Sequence, residues 1–137
     1  MRIKLEMPEK IIFSTGLKIR VSDLNYGNHL SNDSVLSFVH QARVEWLSVM
    51  GFSEMDCGGA GIIMTDAAVV YKSEGFLNDE IRIELGLTDF SGTGFDIYYR
   101  LSKTGNGKEM ATVKTGIVFF DYKSKKVSEI PDAMKKE

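Results

Sequence analysis

The residues best suited to handling protons cluster in one short stretch, Val21-Ser22-Asp23-Leu24-Asn25-Tyr26-Gly27-Asn28-His29-Leu30-Ser31-Asn32. His29 is one of two histidines in the chain, and imidazole is the side chain whose ordinary pKa lets it take or give a proton near neutral pH. The alternative for His29 is a loop residue that hydrogen-bonds the backbone and shapes the turn. Gly27 permits close backbone approach to a bound group. The amides of Asn25 and Asn32 donate and accept hydrogen bonds without titrating, which suits fixing a carbonyl or a water. An apolar-striped segment follows at once, so these groups sit where a loop enters a helix. Such an entrance offers backbone N–H groups without intrahelical partners. One carboxylate stands out elsewhere. Asp66 lies in the otherwise apolar run Ile62 to Tyr71, where an unpaired carboxylate is costly and should have a partner.

The elements that must hold these residues can be read in order. Ile11, Phe13, Leu17, Ile19 and Val21 are apolar at odd positions, which predicts a first strand over Ile11 to Val21. Thr15 and Gly16 interrupt the pattern and are expected to mark a bulge. Gly27 and the asparagines suit a tight, partly left-handed loop. Ser31, Asn32 and Asp33 are all N-cap candidates. Val35, Leu36, Val39, Ala42, Val44, Trp46, Leu47, Val49 and Met50 then recur largely at three- and four-residue steps, predicting one long helix from about Asn32 to Met50 with Gly51 just beyond its end. Asp33 and Arg43 are placed favourably for the helix dipole. Phe52 to Gly61 reads as a flexible connection. Its glycines lack the Gly-Lys-Ser/Thr ending of a phosphate loop.

Strands follow. Ile62 to Ser73 is nearly continuously apolar, the pattern of a central strand buried on both faces. Ile81, Ile83, Leu85 and Leu87 alternate with polar residues, as do Phe95, Ile97, Tyr99 and Leu101, so each of these strands should bury one face. Thr104-Gly105-Asn106-Gly107 is a hairpin signal. Met110 to Asp121 is the last long strand, Lys123 to Lys126 a turn, and Pro131 the end of the final piece. One strand, one helix and four more strands joined by short turns describe a single α+β domain over residues 1–137. An antiparallel sheet curled round one helix keeps exposed edges, which a second copy commonly closes.

Composition narrows the function classes. A net charge of −2, with lysine groups only at Lys123-Lys125-Lys126 and Lys135-Lys136, argues against a nucleic-acid partner, which a clustered basic face would attract. Those lysines read as a solvated strand end and a frayed tail. Cys57 is the only cysteine, so no intramolecular disulfide and no zinc cluster can be built from it. No window approaches the roughly 20 apolar residues of a membrane span, and the first residues show no signal-peptide pattern. A reduced, cytoplasmic setting is the expectation.

The loop and the element order together resemble the hotdog fold. The similarity lies closest to the 4-hydroxybenzoyl-CoA thioesterase-like branch and the plant acyl-carrier-protein thioesterases. Members of those groups carry Asp-x-Asp-x-x-Gly-His-Val-Asn-Asn between the first strand and the helix, where this chain reads Asp23-Leu24-Asn25-Tyr26-Gly27-Asn28-His29-Leu30-Ser31-Asn32. The helix often contains Glu-x-Ala-Arg-x-Glu, here His40-Gln41-Ala42-Arg43-Val44-Glu45. Val69-Val70-Tyr71 falls where the family has a strand ending in tyrosine, and Asn78-Asp79-Glu80-Ile81 where it has Gly-Asp before an alternating strand. The resemblance runs from about Phe13 to Pro131. It implies a curled antiparallel sheet of about five strands around one long helix, and hydrolysis of an acyl-CoA or acyl-carrier thioester at a subunit interface of a homodimer or dimer of dimers. Neither a metal nor a cofactor is implied beyond the CoA carried by the substrate.

Two departures bear on mechanism. The family's second loop aspartate, thought to attack the thioester or activate water, is Asn25 here. An amide can orient a water or carbonyl but cannot take its proton. The helix glutamate is His40. On the family pattern, Gly27 and Asn28 would supply N–H donors to the thioester, while Asn25, His29 and Asn32 position it. His40 or Asp66, the latter facing a neighbouring subunit, would serve as base. Asn32 is equally suited to N-capping, and a helical histidine such as His40 is more often a half-buried packing residue. Asp33 reads as a helix cap, Glu45 as an exposed or salt-bridged helix residue, and Tyr71 and Arg43 as structural. The methionines and phenylalanines suit the core and an acyl tunnel. The alternative function is a hotdog module that binds acyl-CoA without hydrolysing it, supported by Asn25.

Overall fold

The computed structural model describes residues 2–135; Met1, Lys136 and Glu137, at the edges of the expected domain and tail, lie outside the described residues. The elements are β1 (Phe13–Lys18), α1 (Asn32–Val49), β2 (Gly61–Tyr71), β3 (Glu80–Thr88), β4 (Gly94–Lys103), β5 (Glu109–Asp121) and β6 (Lys126–Val127), with 3-10 turns at Val21–Asp23 and Asp132–Met134. All strands pair antiparallel in one sheet of order β1-β3-β4-β5-β2, with two-residue β6 beside β5. This is the expected hotdog arrangement of one long helix against an antiparallel sheet, plus a sixth strand too short to show in the pattern.

The core lies between α1 and the sheet. Val35, Phe38, Val39, Ala42, Trp46 and Leu47 of α1 are buried together with Ile81, Ile83, Leu85, Ile97, Tyr99, Leu101, Val113 and Phe119. Each fully buried large apolar side chain contributes about 1.5–3 kcal/mol, so the strand alternation alone fixes which sheet face meets the helix. Leu36, Val44 and Val49, expected in the apolar stripe, are exposed, and Phe38 is buried in their place. Arg43 does not serve the helix dipole; it is buried inside the fold. The helix stops where expected, with Gly51 left-handed at φ 81°. No helix among the described residues is long and apolar enough to cross a membrane.

Several expectations are corrected. β1 runs without a bulge, its register unbroken from Phe13 opposite Leu85 to Lys18 opposite Glu80. Thr15, the supposed interruption, uses its hydroxyl to bond Glu45 at 2.6 Å and ties β1 to α1; Glu45 is thus half-buried and hydrogen-bonded rather than exposed or ion-paired. The strand ends at Lys18 rather than Val21 because the Asp23 carboxylate accepts the Arg20 N–H at 2.8 Å and bends the chain into the first 3-10 turn. β2 is an edge strand, not a central one. Among the described residues it pairs only with β5, and Ile63, Met64 and Tyr71 are exposed on it. Its register shifts between Met64 and Asp66. The 52–61 connection is pinned rather than loose. Ser53 and Asp56 exchange backbone hydrogen bonds, the buried Cys57 thiol donates to the Ser53 carbonyl at 3.0 Å, and the Ile62 N–H bonds the Glu54 carbonyl at 2.8 Å. The expected hairpin turn is formed, with Gly107 at φ 71° and Asn106 Oδ1 accepting the Lys108 N–H. The C-terminal piece is anchored by buried Ile130 and Met134.

Candidate active site

The loop from Asp23 to Ser31 is a compact, internally bonded unit. Buried Asp23 holds its entrance, and its carbonyl accepts the Ser31 N–H at 3.0 Å at the exit. Between them, Leu24 pairs with Leu30. Asn25 organises the tip: its N–H bonds the His29 carbonyl, its carbonyl accepts the Asn28 N–H at 3.1 Å, and its Oδ1 accepts the Gly27 N–H at 2.8 Å. Asn28 is left-handed at φ 62°, a conformation that asparagine tolerates better than most residues. The N–H groups of Gly27 and Asn28, expected to face a thioester carbonyl, are therefore both engaged by Asn25. Tyr26 at the tip is fully exposed.

His29 is held on three sides. Its Nδ1 lies 3.5 Å from Asn25 Nδ2, at the outer limit of a hydrogen bond. Its Nε2 lies 3.8 Å from Glu74 Oε1, and its ring meets Phe76 edge-on at 6.5 Å. Since an amide nitrogen only donates, the Asn25 contact favours the tautomer with the proton on Nε2. The loop docks on the β2–β3 connection through the Leu30 N–H, which bonds the Gly75 carbonyl at 2.7 Å. Gly75 lets the segments come close there: a Cβ would lie 2.5 Å from Met110 Cε and 2.6 Å from Ile19 Cδ1, so those side-chain ends would have to shift.

Next comes the N-terminus of α1. Ser31 is the N-cap residue but makes no side-chain cap; its hydroxyl bonds that of Ser34 instead, at 2.7 Å. Among the described residues, the first-turn N–H groups thus meet no side-chain cap. Asn32 is exposed at the first helical position, and its carbonyl accepts the Tyr71 hydroxyl at 3.1 Å. A cavity of about 290 Å³ opens here, lined by His29, Leu30, Asn32, Val35, Tyr71, Glu74 and Met110 among others. His29, Asn32 and Asn25 are thus gathered at one pole of the helix.

The other two candidates lie elsewhere. Asp66 is not buried. It is well exposed and both its oxygens sit 3.0 Å from Lys114 Nζ. It stands opposite Gly116 in the β2–β5 ladder, next to Thr115, whose side chain reaches the core. Neighbouring residues point to opposite faces, so Asp66 faces away from α1. The apolar run misled because the register shift at Met64 and Asp66 coincides with an edge strand, where a carboxylate reaches solvent. His40 lies eight residues beyond Asn32, about 12 Å along the helix axis. Its side chain is 56% exposed, so it is not a packing residue, and its Nε2 lies 2.8 Å from Glu54 Oε1.

That contact belongs to a chain running into the core. Glu54 Oε2 accepts from Arg43 Nε at 2.9 Å, an Arg43 terminal nitrogen donates to the Tyr99 hydroxyl at 3.1 Å, and that hydroxyl shares a hydrogen bond of 2.9 Å with Thr115 Oγ1. Burial opposes ionisation of Glu54, but the hydrogen bonds from His40 and Arg43 outweigh it and hold the carboxyl below its usual range. Burial likewise works against the Arg43 charge, and Tyr99 and Glu54 more than offset it. Burial pushes the Tyr99 phenol up. Glu54, Tyr99 and Thr115 were not singled out in the sequence. The available signal was His40 and Arg43 three residues apart on one helix face, an arrangement that calls for a shared carboxylate once Arg43 is buried. A second cavity, of about 380 Å³, runs along this face between α1 and β2, lined by Leu36, Ser37, Val39, His40, Arg43, Met64 and Thr115. Among the described residues no three His, Cys, Asp or Glu side chains are grouped to hold a metal.

The comparisons bear on the family and the fold. A family model described as the thioesterase-like superfamily matches residues 19–137. Among curated proteins, none matches the sequence. Solved structures do. A 1,4-dihydroxy-2-naphthoyl-CoA thioesterase from Synechocystis superposes with a TM-score of 0.82 at 18% identity, over 90% of this chain and 93% of that one. The SAV2348 protein of Staphylococcus aureus, solved in complex with CoA, gives 0.83 at 14% identity, over 97% and 84%. A DHNA-CoA thioesterase, also from Staphylococcus aureus, gives 0.75 at 19%, over 85% and 78%. At these identities the likeness is one of fold.

Proposed function

The chain belongs to the thioesterase-like superfamily, and on that premise we propose that it hydrolyses an acyl thioester carried by CoA or an acyl-carrier protein, by water attack without a metal. The observation that carries this reading is the uncapped N-terminus of α1, beside His29 and Asn25 and open to the cavity bounded by Tyr71 and Met110. Backbone N–H groups aimed at a thioester oxygen stabilise the negative charge that develops as water adds. The first-turn amides of α1 fill this role, since those of Gly27 and Asn28 are used within the loop. Asn25, His29 and Asn32 orient the thioester and the water. Apolar Val35, Leu30 and Met110 receive the acyl chain.

This site is completed across a homodimer. Within one chain His40 and the loop pole are about 12 Å apart along the axis, too far for one thioester carbon to meet both. The β2 edge is 11 residues long, carries exposed Ile63 and Met64, and lacks a strand on one side. Such an edge is a template for a second copy. Pairing there would also account for the apolar character of β2, which reads as a central strand. The test is thiol release from a panel of aliphatic and aromatic acyl-CoAs across neutral and mildly alkaline pH. Turnover of at least one class is expected. Binding without release from any of them would instead leave a thioester-binding module.

A further inference from the structure

We propose that Glu54 is a positioning residue that fixes His40 as the general base of hydrolysis. The proposal rests on the hydrolytic reading above and names the group that Asn25 cannot be.

The candidates narrow by geometry. Asn25 has no proton-accepting lone pair of useful basicity. Asp66 lies on the sheet face turned away from α1 and is clamped by Lys114. His29 has its two ring nitrogens directed at Asn25 and Glu74. His40 differs: its Nε2 bonds Glu54 at 2.8 Å, and no partner among the described residues meets its Nδ1. A carboxylate only accepts, so a neutral His40 bound to it must carry its proton on Nε2. That leaves the Nδ1 lone pair free, on a ring bordering the groove between α1 and β2.

Glu54 is itself held rigidly. Its second oxygen receives Arg43 Nε, and the buried guanidinium is anchored on Tyr99. Its backbone is fixed by the Ile62 N–H and by the turn that Cys57 locks from inside. A surface ion pair needs none of this support. The structure resembles instead a base whose orientation is set by a carboxylate, which is in turn set by a cation in the core.

In the reaction, the oxygen of water attacks the thioester carbonyl carbon while His40 Nδ1 takes a water proton. The tetrahedral species collapses, the C–S bond breaks, and the thiolate takes that proton back from the imidazolium. One thioester and one water give one carboxylic acid and one thiol.

Glu54→Gln tests the assignment. His40 and Arg43 bond different oxygens of Glu54; a glutamine turns one of them into an NH2 donor that faces a donor, yet it keeps the size of the side chain. We expect kcat for thiol release to fall about 10- to 100-fold with KM nearly unchanged, and His40→Gln to cost about 100-fold or more. Adding Glu54→Gln to His40→Gln should cost nothing further. In the wild type, nitrogen-15 spectra of labelled histidine should show His40 protonated on Nε2 when neutral, and Glu54→Ala should give mixed tautomers. A folded His40→Gln protein with wild-type kcat overturns the proposal and leaves the hydrolytic reading standing. Independent, multiplicative losses from the two substitutions overturn the positioning role. Thiol release from no substrate by the wild type overturns the hydrolytic reading, and the proposal with it.

Discussion

Replacing Tyr99 by phenylalanine removes one oxygen from a fully buried site and leaves the ring volume in place. That oxygen accepts from Arg43 at 3.1 Å and shares a hydrogen bond of 2.9 Å with Thr115. Arg43 is 7% exposed and Thr115 0%, so water cannot replace the lost partner. The substitution strands a charged N–H, costing about 1.5–3 kcal/mol, and a hydroxyl, costing about 1 kcal/mol. Tyr99→Phe should therefore destabilise the chain by about 2.5–4 kcal/mol. For a chain of 137 residues this is a fall of about 8–16 °C in melting temperature, at about 3–4 °C per kcal/mol. Urea unfolding followed by circular dichroism gives the free energy directly, and an unchanged m-value shows that the comparison is between like states. Adding Thr115→Val should recover about 1 kcal/mol, because no stranded hydroxyl then remains. A Tyr99→Phe protein within about 0.5 kcal/mol of the wild type would refute the claim that this network is dry and fully partnered.

Asn25→Asp keeps the Gly27 bond but turns the donor facing His29 Nδ1 into an acceptor. Thiol release should change by less than about tenfold if the base is His40, whereas a rise of about 100-fold or more would mark the natural chain as a binder on a thioesterase scaffold. Cys57 is buried and its thiol is pushed up to about 11, chiefly by burial. It should resist alkylation at neutral pH in the native protein and react at once in denaturant, which a mass-spectrometric time course would follow. Glu54 has its folded-state pKa lowered below the ordinary 4.5, so its ion pairs stabilise the fold fully above that value and lose their effect as pH falls through the folded value. Glu54→Gln should thus flatten the acid limb of a melting-temperature profile; an unchanged limb would contradict the pairing. Ile63→Lys on the exposed edge of β2 should convert a dimer to monomer in sedimentation and abolish turnover, with the fold retained.

The sequence carried the fold through its periods. Strict alternation in β3 and β4 and the three- and four-residue steps of α1 named the buried faces of those elements, because there burial decides the residue type. It failed where one chain's pattern answers to a partner or to a turn. Ile62 to Tyr71 reads as buried on both faces, yet within the chain it is an edge. Thr15 looks like a break in β1, yet it reaches across to Glu45. The loop pole of the candidate site was legible, since Asn25, His29 and Asn32 are close in sequence and a short bonded turn can only gather them.

The His40 cluster was hidden because its parts come from three elements. His40 and Arg43 lie on α1, Glu54 on a connection that reads as mere linker, and Tyr99 on a strand where its hydroxyl looks incidental. What joins them is a physical requirement: a guanidinium taken out of water must find acceptors on every side that water leaves. Arg43 finds Tyr99 inward and Glu54 outward, and the free oxygen of Glu54 then meets His40 at the helix surface. On the proposed mechanism proton transfer is carried not by the loop, where Asn25 cannot take a proton, but by His40 on the helix, whose ring is oriented through Glu54 by a charge buried in the core.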